Sequence, residues 1–228
     1  MDPRRETYIE WFIYFLIGFC VGSTAFCLKM IEENLIKLTV YLASLKMVDE
    51  STGEDLAPWK PWLIYAALCG LWSCLGGIMT TYYGPGASGS GVAELIGYLN
   101  GINYHHFIGI DTLLTKVVGV ALAVSGRLCI GKEGPLCHIG AVWGALVLYI
   151  PGLDLKHLQN DETKRIFIAA GASAGVAVAF GSPIGGALFV YELSKPNTFW
   201  QFKMIWKVFF SCCICCFTMA IWLGCKNR

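Results

Sequence analysis

The run Gly131-Lys132-Glu133-Gly134-Pro135 stands between two apolar stretches. It sets a carboxylate at membrane depth, just before a Pro expected to open a helix, because Pro is favoured at the first helical position. Charge at that depth is costly, so an acidic side chain there points to function. A helix start is electropositive and presents N–H groups that suit an anion. The Glu133 carboxylate, tethered at such a start, can occupy the place an anion would take. That arrangement is a plug whose release protonation would control.

A second glycine-rich loop carries related chemistry. Gly89-Ser90-Gly91 leads into a short apolar helix over 92–99. This loop and the run from Gly131 to Gly134 can turn backbone N–H groups and helix starts toward one point. Glycine lets a bare ion approach the backbone closely, and Ser90 adds a hydroxyl donor. An anion leaving water needs such donors, because burying an unpaired charge costs many kcal/mol. Helix dipoles attract without a full fixed charge, which would hold a passing ion too tightly. Two other readings of these loops fail on mechanism. Gly84-Pro85-Gly86-Ala87-Ser88-Gly89 matches GxGxxG, with Asp111 downstream, but a dinucleotide site needs a preceding strand and a βαβ unit. The run from Gly126 to Lys132 approaches a P-loop, yet Glu133 stands where Ser or Thr would hold magnesium.

The elements that position these loops must sit in lipid. The chain has 228 residues, of which 56% are hydrophobic and 14% charged, against roughly 25% charged in soluble domains. Mean hydropathy is +0.57. A net charge of +1 implies no nucleic-acid surface. Most of the eleven Cys lie inside apolar runs and read as small buried apolar residues, not as the disulfide framework of a short secreted chain. The first apolar stretch is long and flanked by Glu10 and Lys29, so it does not read as a cleaved signal peptide.

A spanning helix needs about 20 mostly apolar residues. Residues 8–30, 61–82 and 199–224 qualify, and a further apolar stretch covers 107–125. Residues 135–150, 164–180 and 184–193 read as shorter. Short, Gly/Pro-broken segments beside full spans point to a transporter-type site, since irregular backbone is tolerated in a membrane only where protein or water covers it. Arg4 and Arg5, set against the acidic loop 49–55, place the N-terminus in the cytoplasm. Gly171 and Gly175 stand four apart on one helix face and permit close helix–helix approach.

Three motifs occur in order: Gly89-Ser90-Gly91-Val92-Ala93-Glu94, Gly131-Lys132-Glu133-Gly134-Pro135, and the run Gly181 to Phe189. Together they resemble the CLC chloride channel and transporter family, and the resemblance covers nearly the whole chain. It implies an all-α membrane protein: a bundle of tilted, broken and re-entrant helices corresponding to the first inverted repeat of the family fold. By position, Ser90 resembles the serine that coordinates the central chloride. Glu133 resembles the gating glutamate that competes with chloride and swings away on protonation. Gly89, Gly91, Gly131, Lys132, Gly134 and Pro135 complete the implied anion-binding set. Chloride is the implied permeant ligand, with no cofactor and no metal.

Departures from the family pattern carry information. Ala93 replaces a Pro in the first motif, which alters the helix start but leaves the Ser90 hydroxyl. Nitrate-preferring relatives have Pro at the serine position, so Ser90 favours chloride. Exchangers carry two consecutive glutamates after the Gly185-Gly186 helix, the second relaying protons. Here the pair is Glu192-Leu193, and leucine carries no proton. Leu193 therefore favours a passive, voltage- or pH-gated channel, with a chloride/proton antiporter as the alternative. The family's second half, with its GxFxP-type loop and a tyrosine hydroxyl, has no counterpart here, and neither do its CBS domains. The expectation is a partial transmembrane domain over 1–228.

Other residues receive smaller roles. His138, on the helix of Glu133, reads as a packed polar residue, and His105 and His106 as interfacial. Lys116 and Arg127 read as snorkelling at membrane ends, with a basic lure for anions as the minor alternative. The quartet Cys212, Cys213, Cys215 and Cys216 has no His or carboxylate beside it, which argues against metal; palmitoylation is an equally weak alternative. No nucleophile–base set suggests an enzyme. The expected partners are chloride, the lipid bilayer of a plasma or organelle membrane, and a second subunit: a homodimer or a dimer with a full-length relative. In the last case the chain would be a non-conducting modulator.

Overall fold

A computed structural model describes residues 3–44, 59–104, 106–150, 160–194 and 202–226, with backbone alone at 3–6 and 202–203. The acidic loop 49–55, His105, residues 199–201 and the side chains of Arg4 and Arg5 lie outside the described residues. Among the described residues eight α-helices follow one another: α1 (Pro3–Ser44), α2 (Trp59–Tyr82), α3 (Val92–Leu99), α4 (Ile110–Ser125), α5 (Glu133–Leu146), α6 (Asp161–Phe180), α7 (Pro183–Ser194) and α8 (Phe202–Lys226). Short 3₁₀ turns lie at Pro85–Ala87 and Val147–Tyr149. No strand occurs among the described residues.

Among the described residues four helices are long and apolar enough to cross a membrane: Thr7–Ser44 of α1, α2, α6, and Met204–Lys226 of α8. The expected spans at 61–82 and 199–224 are thus found in α2 and α8. Other bounds differ from expectation. α1 runs well past residue 30, and its 42 residues make a rod of roughly 63 Å, about twice the hydrocarbon thickness. The stretch 107–125 yields only the 16 residues of α4, because residues 107–109 are bends and Gly109, next to the helix, is extended. α6 is longer than expected at 20 residues, since the polar run Asp161-Glu162-Thr163-Lys164-Arg165 is already helical. Acidic residues stabilise a first turn, so this polarity does not delay the helix.

The core forms where backbones meet. α6 is the central helix, and every residue from Phe167 to Ala177 is buried. Gly140 and Gly144 of α5 face Gly171 and Gly175 of α6. A Cβ on Gly140 would run into the Gly171 carbonyl, and one on Gly171 into the Gly140 carbonyl. Four apart on each helix, these glycines form two small-residue faces pressed together. The expected face at Gly171 and Gly175 is thus only one side of the seam.

α1 and α8 use the same device. Gly18 meets the Ser211 carbonyl and Gly22 the Cys215 carbonyl. Ion pairs Lys207–Glu10 and Lys226–Glu33 tie the two ends of α8 to α1. Ile13, Ile17 and Val21 of α1, Val208, Cys212 and Cys215 of α8, and Phe167, Ala170 and Ala174 of α6 share one apolar cluster.

The cysteines serve this packing. Cys212 Sγ lies 3.0 Å from Ser173 Oγ, and Cys215 and Cys216 donate to the carbonyls of Ala174 and Ala177, each at 3.4 Å. All eleven cysteines are unbridged, and no group of three potential ligands could hold a metal ion among the described residues.

Candidate anion site

Two helix starts converge. α3 begins after Gly91, whose φ of +80° is left-handed, as is the +66° of Gly89. Only glycine adopts such angles freely, so the flanking glycines set the direction in which α3 starts. The first N–H groups of a helix have no carbonyl one turn back. The earliest helical bond of α3 runs from the Leu95 N–H to the Gly91 carbonyl. Ser90 Oγ accepts a long bond, 3.4 Å, from the Val92 N–H. Its hydroxyl hydrogen stays available to donate.

The second start belongs to α5. Pro135 does not open this helix as expected. α5 starts two residues earlier, at Glu133, with Lys132 as the residue before it. Pro135 then occupies the third helical position, where its missing N–H costs no helical bond. The first intrahelical bond is Leu136 N–H to the Lys132 carbonyl, 3.0 Å.

The two starts touch. A Cβ built on Gly134 would come 2.8 Å from Ser90 Cβ, so glycine at 134 is what admits the serine. One residue away, the half-buried Glu133 folds its carboxylate back over its own loop, where a Cβ on Gly131 would strike it. Gly89, Ser90, Gly131 and Pro135 line one cavity of about 500 Å³ between α2 and α4. Gly89 and Ser90 are exposed. The loops thus form an open half-shell of donors with a carboxylate at its edge.

Several expected roles change in detail. The Lys132 side chain does not point at Ser90; its ammonium pairs with Glu32 of α1 at 3.1 Å. Lys116 does not snorkel. It is 2% exposed and sits in the middle of α4, donating to the carbonyls of Ala87 (2.9 Å) and Gly89 (2.8 Å). Arg127 is exposed just past the end of α4 with a left-handed φ of +56°. His138 is a packed polar residue, as expected. Its Nε2 lies 3.0 Å from the Phe107 carbonyl, its ring stacks on Phe107 at 4.4 Å, and its Nδ1 rests against Gly91. His106 is exposed at a turn with a left-handed φ of +61°. The GxGxxG loop follows helix α2, not a strand. Leu193 is half-buried near the end of α7, beside an exposed Glu192.

Sequence reasoning missed Lys116 as a partner of the Ser90 loop and Glu32 as the partner of Lys132. A lone Lys inside an apolar helix was the visible signal for the first. Glu32 carried none, since it lies 100 positions away on another helix.

Comparison with known proteins fits this geometry. Residues 66–227 match the family described as voltage gated chloride channel. The chain belongs to that family. It is 37% identical to chloride channel protein A of Dictyostelium discoideum over 97% of its own length, and 34% identical to the human H(+)/Cl(-) exchange transporter 7 over 92%. In both cases it spans 26% of the relative's length.

Solved structures agree on the fold. A eukaryotic CLC transporter superposes with a TM-score of 0.80 at 20% identity, covering 93% of this chain and 37% of that one. A slow cyanobacterial Cl-/H+ antiporter superposes with 0.79 at 24% identity, covering 97% and 47%. The all-helical bundle is therefore part of the CLC fold, and the protein is an integral membrane protein of several spans.

Proposed function

We propose that this chain supplies one half of a chloride path, gated by Glu133. The observation that carries the reading is the contact between Ser90 and Gly134, which brings two helix starts together beside one carboxylate. Chloride in transit takes the Ser90 hydroxyl and the N–H groups at the starts of α3 and α5, with Gly89, Gly91, Gly131, Lys132 and Pro135 shaping the backbone around it. The ionised Glu133 carboxylate competes for the same donors, because both are anions suited to a helix start. Protonation removes its charge and weakens that hold, so chloride enters.

The transport mode is passive conduction. Leu193 has no proton to give, which supports a channel. The alternative is chloride/proton exchange, favoured by the relatives named H(+)/Cl(-) exchange transporter 7 and by the antiporter fold neighbour. The complete protein works as a dimer, with the exposed apolar residues Ile184 and Leu188 of α7 and Phe217 of α8 meeting a second subunit.

Two measurements on the complete protein test the reading. Glu133→Gln or Glu133→Ala should conduct with little response to pH or voltage; unchanged gating refutes the gate. The reversal potential, followed against a proton gradient, separates the modes: it stays fixed for a channel and shifts for an exchanger.

A further inference from the structure

Lys116 is a buried cation that donates to two backbone carbonyls, those of Ala87 and Gly89, just ahead of the serine of the proposed anion site. We infer that Lys116 is a positioning residue for anion recognition. By capturing the carbonyls of Ala87 and Gly89, it fixes the face that the Ser90 loop turns toward the ion. The inference deepens the proposed chloride path and rests on it.

The argument begins with the peptide plane. A trans peptide is flat, so its carbonyl and the following N–H point in opposite directions. The Gly89 carbonyl is held 2.8 Å from the Lys116 ammonium. The Ser90 N–H, which belongs to the same peptide, must therefore point away from Lys116. The Ala87 carbonyl is held in the same way at 2.9 Å, so the next N–H, that of Ser88, also points away. That N–H is already spent inside the loop, on the Pro85 carbonyl at 3.2 Å. The Ser90 N–H is thus the donor whose direction the lysine sets.

Loop flexibility makes such an anchor necessary. Gly89 and Gly91 on either side of Ser90 both have positive φ, and glycine pays most entropy when it is ordered. Gly89 is exposed and a Cβ there would meet open space, so packing does little to hold that residue. With its ammonium removed, the Gly89 peptide is free to rotate, and a rotated peptide shows an anion a carbonyl oxygen in place of an N–H. The exchange turns attraction into repulsion at the same point.

Lys116 belongs to α4 and lines the same cavity as Ser90, but its ammonium is engaged by two carbonyls at 2.9 and 2.8 Å. It thus works through the loop and not as a ligand of the ion. Its position also explains why a charge inside an apolar helix is retained: two carbonyls compensate a cation whose burial is otherwise costly.

The test uses the complete protein in proteoliposomes, with the chloride concentration for half-maximal flux measured separately from the maximal rate. Lys116→Met removes the bonds and the charge. Lys116→Gln removes the charge but keeps two N–H donors for the two carbonyls. Lys116→Arg keeps both and serves as the folding control. Lys116→Met should raise the half-maximal chloride concentration about tenfold to a hundredfold, the factor that one charge-assisted hydrogen bond to the ion carries, and should erase discrimination between chloride and nitrate. Lys116→Gln should recover most of both.

Wild-type half-maximal chloride in a folded Lys116→Met protein overturns the inference. So does a folded Lys116→Gln protein as defective as Lys116→Met, because the charge alone would then matter. If Lys116→Met does not fold, Lys116→Gln decides: retained chloride affinity supports positioning, and lost affinity overturns it. Glu133→Gln, assayed in the same vesicles, reports separately on the gate, so failure of the gating proposal is distinguishable from failure of this one.

Discussion

The α5–α6 seam and the Ser90 loop are both built from glycine, and glycine does opposite work in them. At the seam, Gly140 and Gly171 are small so that two helices can close until backbone meets backbone. Nothing there is left for a ligand, because every main-chain group already has its partner inside a helix. In the loop, Gly89 and Gly91 are permissive, taking left-handed angles that leave the start of α3 open and Ser90 exposed. One set of glycines removes space and the other creates it. Rigidity sits beside openness on a single helix, since α5 carries Gly140 at the seam and Gly134 against Ser90.

The comparison breaks most severely at the seam. Gly171→Leu sets a large side chain where the Gly140 carbonyl stands, and no neighbouring side chain can yield, because the obstacle is backbone. Overpacking costs about 1–3 kcal/mol or more, and at this site the upper end applies. The expected result is loss of folded protein in detergent, read by size exclusion and thermal melting. Gly89→Ala is the matched contrast. Its Cβ meets open space, so its cost is the left-handed backbone alone, about 1–2 kcal/mol. A Gly171→Leu protein that melts no lower than Gly89→Ala would dissolve the distinction between the two regions.

Next in size is the gate proposed at Glu133. Glu133→Gln keeps the shape of the side chain and removes its charge. It should leave the melting temperature near wild type, because the carboxylate is only half-buried, while abolishing most of the response of flux to pH and voltage. Ser90→Ala should act more narrowly. Loss of one hydroxyl donor to the ion costs about 1.5–3 kcal/mol, a rise in half-maximal chloride of about tenfold to a hundredfold. Its effect on stability should be slight, since the Val92 N–H bond it loses is long and exposed.

How far the sequence carried can be judged on these same residues. The runs around Ser90 and Glu133 were legible because the motif itself is local: glycine, a donor and a helix start lie within five positions. The helix 92–99 emerged with its observed bounds for the same reason. The seam was half legible. Gly171 and Gly175 stood out in a run of small residues, whereas Gly140 and Gly144 were masked by the larger residues between them. The start of α5 was misplaced by two residues because Pro is tolerated throughout a first turn, and its identity alone does not number the position. Lys116 was misread since periodicity reports that a charge lies in an apolar helix, not which distant carbonyls fold over it. Partnerships between residues far apart, such as Lys132 with Glu32, depend on tertiary packing and leave no local trace.

The smallest expected effect concerns that last pair. Glu32 holds the Lys132 ammonium at 3.1 Å, with side-chain exposures of 14% and 37%. The pair is half-buried, and Glu32→Gln keeps a side-chain oxygen that can accept from Lys132, so stability should fall only modestly, by about 1 kcal/mol. The substitution should mainly change the field at the anion entrance. Neutralising Glu32 leaves an unbalanced positive charge on the residue next to the gate. A unit charge about 10 Å from an ion in water is worth about 0.4 kcal/mol, roughly a twofold change in local anion concentration. Chloride flux at low ionic strength should therefore rise about twofold, and the gain should fade as the Debye length shortens to about 8 Å at physiological salt. The same gain at all salt concentrations would mean that Glu32 acts by holding the Gly131–Gly134 loop in shape. The open region would then owe its geometry to α1, and the division between a rigid seam and a free-standing loop would have to be redrawn.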